Sequence, residues 1–162
     1  MTNLEASSNK PAAPSNWLLV FFPVLSAAGF IDATYLTIKH FLGTPIPCSI
    51  LQGCEQVTNS PYSLIFGIPV ALFGALYYLA ILLLAVIYID SRKPSVLKLL
   101  ACLTPFGFLA SLWFVYLQIF VIKAICLYCM VSATTSTILF ILGMCYLTRH
   151  EKKIEIITEK IT

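Results

Sequence analysis

Four of the six cysteines fall into two closely spaced pairs, and thiols at such spacings can make and break disulfides. Cys126 and Cys129 enclose two residues in the sequence Cys-Leu-Tyr-Cys, and a CxxC spacing lets a dithiol close and reopen a disulfide on one helical turn. Cys48 and Cys54 form the second pair, with five residues between them. Two dithiols on one face of a protein would allow electrons to pass between them by exchange, so these four cysteines are the candidate catalytic residues.

The composition excludes an ordinary soluble protein. Of the 162 residues, 59% are apolar and 10% are charged, whereas soluble domains have about 25% charged residues. The apolar residues form four charge-poor runs, each at least as long as the roughly 20 residues that cross a bilayer core. The runs are 17–38, 69–89, 99–122 and 124–148. The sequence therefore predicts an all-α membrane protein, a four-transmembrane-helix bundle in contact with lipid.

The basic residues predict how these spans are oriented, because Lys and Arg collect on the cytoplasmic side of a membrane. One side has only Lys39 and Lys123. The other side has eight basic residues: Lys10, Arg92, Lys93, Lys98, Arg149, Lys152, Lys153 and Lys160. We therefore expect a flexible cytoplasmic tail at 1–16, a bundle domain at 17–148 and a basic cytoplasmic tail at 149–162. All four paired cysteines then face the periplasm or a lumen, where disulfides persist, and a bacterial inner membrane fits best.

The first outer loop is rich in residues that break helices, and a short apolar stretch, Tyr62–Phe66, lies within it. This stretch is too short to span, so we expect a short capping half-helix or a re-entrant piece at the membrane surface. Irregular backbone at that depth must be covered by protein or line a cavity. A capped cavity beside the CxxC would suit a flat, apolar redox cofactor, and the alternative is an ordinary interfacial segment.

In this order and on four spans, the motifs resemble those of the bacterial-type vitamin K epoxide reductase homologues. The resemblance covers roughly residues 17–148. The matching segments are Cys48-x5-Cys54, Gly53-Cys54-Glu55-Gln56-Val57, Ser60-Pro61-Tyr62, Phe66-Gly67-Ile68-Pro69 and Cys126-Leu127-Tyr128-Cys129.

The resemblance implies that the bundle surrounds a quinone, of the ubiquinone or the menaquinone (vitamin K) type. It implies that Cys48 and Cys54 shuttle electrons from a partner protein and that Cys54 then exchanges with Cys126. Cys129, nearer the bundle interior, would reduce the quinone. Many bacterial members carry a fused thioredoxin-like domain, and we expect none in this protein. The expected partner is therefore a separate periplasmic thioredoxin-like (DsbA-like) protein.

The same resemblance gives candidate quinone contacts besides Cys129. These are Ser63, Phe66 and Tyr128, although an aromatic residue here can also belong to the interfacial belt. Vertebrate members have an Asn at the position of Ser63 and a Tyr at the position of Ala133. A serine hydroxyl can still donate a hydrogen bond, whereas an alanine side chain cannot. Reduction of an epoxide in the vertebrate manner is therefore not expected to carry over.

Other interpretations compete with a redox relay. A zinc site would need four ligands, and the predicted topology separates His40 from His150, so no metal is expected. A non-enzymatic four-span protein stapled by structural disulfides is the main alternative, and an enzyme that passes electrons outward from quinol is another. No basic patch with interleaved aromatic residues supports nucleic-acid binding. The sequence leaves the oligomeric state open.

Three further residues in the spans need an interpretation. Cys102 and Cys145 are expected to be buried packing residues. Asp32 is the single charge inside a span, and an acid at such a position suggests a function, such as a proton relay or a partner for Lys39. Because Asp32 lies within two turns of the outer end, it could instead reach interfacial water.

Overall fold

A computed structural model describes residues 16–45 and 53–161 of the chain. Each of its four long helices contains a segment that is long and apolar enough to cross a membrane. The helices are α1 (Asn16–Leu42), α2 (Cys54–Thr58), α3 (Val70–Ser91), α4 (Pro94–Tyr116) and α5 (Leu127–Ile161), of which α2 is short and lies in the outer loop. This architecture confirms the predicted all-α membrane bundle. The 1–16 tail falls almost wholly outside the described residues, and the domain limits at 17, 148 and 149 stay predictions.

The bundle is held together through α1 and α5. Helix α1 packs against α3 and α5, and α4 packs against α5 and α3. The shared core includes Phe22, Tyr78, Ile81, Leu100 and Leu139. Large apolar side chains also cover the outside of the helices, where a hydrocarbon environment would surround them.

Glycines allow two tyrosines of α3 to lie flat against neighbouring helices. A Cβ on Gly29 of α1 would overlap the Tyr78 ring, and one on Gly107 of α4 would overlap the Tyr77 ring and hydroxyl. Small residues at crossings are typical of membrane bundles, because they let packed groups approach closely. These glycines therefore fix where the two tyrosine hydroxyls lie.

The outer loop has a short helix, but its position differs from the one expected. Helix α2 begins at Cys54, whereas the Tyr62–Phe66 stretch forms part of a 3₁₀ turn (Pro61–Ser63) and the strand β1 (Leu64–Ile65). Strand β1 pairs antiparallel with β2 (Ile68–Pro69). The turn between the strands has φ values of 52° and 79° at Phe66 and Gly67, the left-handed conformation of tight hairpin turns. The chain therefore reverses where a half-helix was expected to continue.

A π-helical segment, Leu117–Ile122, extends α4 towards the outer loop. It ends at Lys123, whose φ of 55° is left-handed. The Ala124 N–H donates back to the Gln118 carbonyl at 3.1 Å, and α5 begins only three residues later. Wide turns of this kind are rare and frequently occur at functional sites.

Candidate active site

The CxxC lies at the start of α5. Cys126 immediately precedes the helix and is fully buried, and Cys129 lies in its first turn. Both cysteines carry free thiols, and the Cys129 thiol is hydrogen-bonded to Cys126. The pair is therefore a dithiol whose two sulfurs already face each other.

Hydrogen bonding lowers the pKa of the Cys126 thiol to about 7. The largest contribution comes from the Cys129 thiol, and the backbone N–H groups of Cys129 and Tyr128 at the helix start add to it. Burial and the negative charge of Asp32 act in the opposite direction. A substantial fraction of Cys126 is therefore thiolate at neutral pH, and the thiolate is the form that takes part in exchange.

Gln118 of the π-helical segment contacts both cysteines of the CxxC. Its side chain is 2% exposed, and its Oε1 accepts a hydrogen bond from the Cys126 N–H at 3.0 Å. The same side chain is hydrogen-bonded to Cys129. Sequence reasoning missed this residue, although it is the only amide side chain in the 99–122 run.

Cys54 lies in the same buried cluster as Cys126. Cys54 is disulfide-bonded and fully buried, and the cluster contains Leu36, Cys54, Val57, Ala124 and Cys126, with Cys129 packed against it. A Cβ on Gly53 would lie 2.8 Å from the backbone N and O of Ile125, so this glycine lets the outer loop approach the CxxC backbone. Cys48 lies outside the described residues.

A cavity of about 300 Å³ opens between the four long helices beneath the outer loop. Among the predicted quinone contacts, Cys129 and Ser63 line it, as does Ala133. The Phe66 side chain is fully exposed at the hairpin tip and does not line the cavity. Tyr128 also lies outside the lining, with its ring packed 5.2 Å from that of Tyr35. The volume is at the lower end of the range for small-molecule sites.

Two expectations for residues of the spans need correction. Cys102 and Cys145 were expected to be buried, but both are exposed on the outside of the bundle. Lys39 was considered as a partner for Asp32, but its Nζ lies over the Tyr35 ring, 5.8 Å from the centroid. Asp32 lines the cavity instead, together with Tyr77 and Tyr78, two residues that sequence reasoning had not singled out.

The chain matches a known protein family over most of its length. Residues 20–144, which include both cysteine pairs and most of each span, match the Vitamin K epoxide reductase family. The chain belongs to this family. It is also similar to the thiol-disulfide oxidoreductase LTO1 of Arabidopsis thaliana, with 32% identity over 122 residues. The match covers 70% of this chain and 32% of LTO1, so the chain spans about a third of that protein's length.

Proposed function

We propose that this vitamin K epoxide reductase family member is a quinone-dependent membrane thiol–disulfide oxidoreductase that supports disulfide formation. Membership of the family and the similarity to LTO1 support a thiol–disulfide oxidoreductase. The positions of three cysteines support the electron path. Disulfide-bonded Cys54 and the free thiol of Cys126 are buried in one cluster, and Cys129 connects this cluster to the cavity wall.

Electrons would enter at the outer pair and move inward by two exchanges. The dithiol of a separate periplasmic thioredoxin-like (DsbA-like) protein would reduce a disulfide between Cys48 and Cys54. The Cys54 thiolate would then attack the Cys126 sulfur of an oxidised CxxC, and Cys129 would leave as a thiolate. Cys48 would attack Cys54 in the mixed disulfide and release Cys126, which restores the outer disulfide and leaves the inner dithiol.

The pKa of Cys126 suits it for this role. A thiol with a lower pKa leaves a mixed disulfide faster, and the pKa of Cys126 is about 7.

The cavity would hold a quinone with Cys129 at its wall. A bound quinone, either ubiquinone or menaquinone, would supply the two-electron acceptor chemistry. The chain's own part is to place the Cys129 sulfur at the wall of a largely apolar space. Ser63 is a further candidate contact on the wall, and Phe66 and Tyr128 are candidate contacts from outside the lining.

We further propose a bacterial inner membrane location with both termini in the cytoplasm. The charge asymmetry of the sequence supports this orientation. It would place the cluster of Cys54 and Cys126 on the periplasmic side, where a thioredoxin-like partner could reach the outer loop.

The test is anaerobic quinone reduction by the purified protein in detergent, with ubiquinone and menaquinone analogues as acceptors. With dithiothreitol as donor, Cys126→Ala and Cys129→Ala should each abolish turnover, and Cys102→Ala on the lipid-facing side should leave it unchanged. Cys48→Ala should spare turnover with dithiothreitol and block turnover with a thioredoxin-like donor. Full turnover by Cys129→Ala would contradict its role, and a folded wild type without turnover would favour the disulfide-stapled scaffold.

A further inference from the structure

Most polar side chains on the cavity wall already have a partner within the protein. Their hydroxyl or amide groups are bonded to backbone groups or to one another, so they have no need of a ligand. For example, the Ser63 Oγ donates to the Ser60 carbonyl at 2.7 Å, and the Tyr78 hydroxyl donates to the Ser132 carbonyl at 2.7 Å. The other bonds of this kind are Thr58 to Cys54, Ser60 to Val57, Ser111 with Ser136, and Gln118 with Cys126.

Two buried polar atoms on the wall are different. Within the part of the chain that the structure describes, Asp32 Oδ2 and the Tyr77 hydroxyl oxygen have no hydrogen-bond partner. A buried polar atom without a partner is destabilising, so it calls for a ligand or an ordered water. Thr34 Oγ1 is also buried without a partner, but it does not line the cavity.

The chemistry of the two atoms is complementary. A carboxylate oxygen accepts hydrogen bonds, and a phenol hydroxyl donates one. The ring oxygens of a quinone can only accept, whereas the hydroxyl groups of the corresponding quinol can also donate. The Tyr77 hydroxyl can therefore bind either form of the ring, and Asp32 Oδ2 can accept a hydrogen bond only from the reduced form.

Packing holds both groups where such a ring would meet them. Tyr77 lies against Gly107 of α4 and edge-on to Tyr78, with 5.3 Å between the ring centroids. Asp32 of α1 lines the same cavity as Cys129, and Tyr77 lines it from α3.

We propose that Tyr77 and Asp32 are the polar contacts of the quinone head group. The Tyr77 hydroxyl donates to one ring oxygen, and Asp32 Oδ2 accepts a hydrogen bond from a hydroxyl of the reduced ring. Asp32 thereby makes the site bind quinol more tightly than quinone, which favours the flow of electrons out of the CxxC. This inference rests on the proposed function, since it assigns contacts within the quinone site.

The test measures binding without turnover. Oxidised protein is titrated with decylubiquinone and reduced protein with decylubiquinol, so that each protein and ligand pair is matched in redox state. Asp32→Asn and Asp32→Ala should weaken quinol binding about tenfold or more and change quinone binding little, because a hydrogen bond to a charged acceptor is among the stronger kind. Tyr77→Phe should weaken quinone binding about threefold to tenfold.

Thr34→Val is the matched control, because it removes a buried unpartnered hydroxyl that does not line the cavity. It should leave both affinities unchanged. Wild-type affinity for quinol in both Asp32 variants, in folded protein, would overturn the inference and leave the proposed function intact. A wild type that reduces no quinone and binds neither form would instead overturn the proposed function, and the inference with it.

Discussion

At the scale of single residues, the two cysteines of the CxxC differ in their surroundings although their spacing makes them look equivalent. Cys126 precedes α5 and accepts hydrogen bonds at its sulfur, whereas Cys129 donates its thiol hydrogen to Cys126. Cys126 belongs to the cluster that contains Cys54, and Cys129 lines the cavity. The spacing alone predicts the chemistry of the pair but not which cysteine lies beside Cys54 of the outer loop and which lines the cavity.

The hydrogen bond between the two thiols can be tested by titration. Cys129→Ala removes the largest contribution that lowers the pKa of Cys126, so burial and the charge of Asp32 should raise the midpoint above about 7. Thiolate absorbance near 240 nm, followed against pH in reduced protein, measures this midpoint. Cys145→Ala, on the lipid-facing surface, is the control and should keep the wild-type midpoint. An unchanged midpoint in Cys129→Ala would show that the helix start alone activates Cys126.

At the scale of elements, two short segments bring the outer loop and the CxxC together. Gly53 precedes α2 and packs against the backbone of Ile125, and the π-helical segment places Gln118 beneath the CxxC. The φ of Gly53 is −90°, a value that any residue can adopt. Glycine is required there because a Cβ would have no space beside the Ile125 backbone. The first contact joins parts of the chain that are far apart in sequence, and the second depends on the wide turn between Gln118 and Cys126, so periodicity reveals neither.

Gly53→Ala should separate the outer loop from the CxxC. Displacing reacting groups by about 1 Å can cost on the order of 100-fold in rate, so exchange between Cys54 and Cys126 should slow by about 10- to 100-fold. In a Cys48→Ala background with an oxidised CxxC, Cys54 attacks Cys126 and releases the Cys129 thiol, and the rate at which alkylation of Cys129 traps the Cys54–Cys126 cross-link measures this exchange. Gly74→Ala is the matched control, because its Cβ would meet Ala33 at an ordinary 3.6 Å. Equal rates in the two glycine variants would contradict the close-approach argument.

Gln118→Leu should destabilise the bundle near the CxxC. The substitution keeps most of the volume but leaves the buried Cys126 N–H without its acceptor, which costs about 1–3 kcal/mol. Denaturant unfolding in detergent, compared with Gln118→Glu, which keeps an acceptor oxygen, measures the loss. If leucine and glutamate cost the same, the hydrogen bond to Cys126 would not be the cause.

At the scale of the whole molecule, length and charge were enough to predict the bundle. Four uncharged or singly charged runs gave four spanning helices, and the hydrogen bonds of each helix satisfy its own backbone. The rotation of each helix was not predictable, because a span that is apolar all round has no preferred face. Cys102 and Cys145 therefore turned out to face outward, and Tyr77 could not be singled out as a wall residue.

The orientation across the membrane is a prediction for the whole chain. Eight basic residues on one side against two on the other should keep both termini in the cytoplasm. Fluorescent reporters that mature only in the cytoplasm, fused separately to each end, should both be bright. A reporter fused between Gly43 and Thr44 in the outer loop should stay dark, and the reverse pattern would place the cysteines on the cytoplasmic side.

The burial of Cys54 and Cys126 would protect their disulfides from reduction in a compartment that contains small soluble thiols. Both residues are fully buried, so a dilute small thiol such as glutathione should react slowly with the sulfurs between which the electrons pass. The protection would come from limited access to the two sulfurs and not from the reduction potential of their disulfides. The enzyme would not need an extreme reduction potential to avoid being reduced by dilute small thiols, since a protein that engages the outer loop would deliver electrons faster than they do.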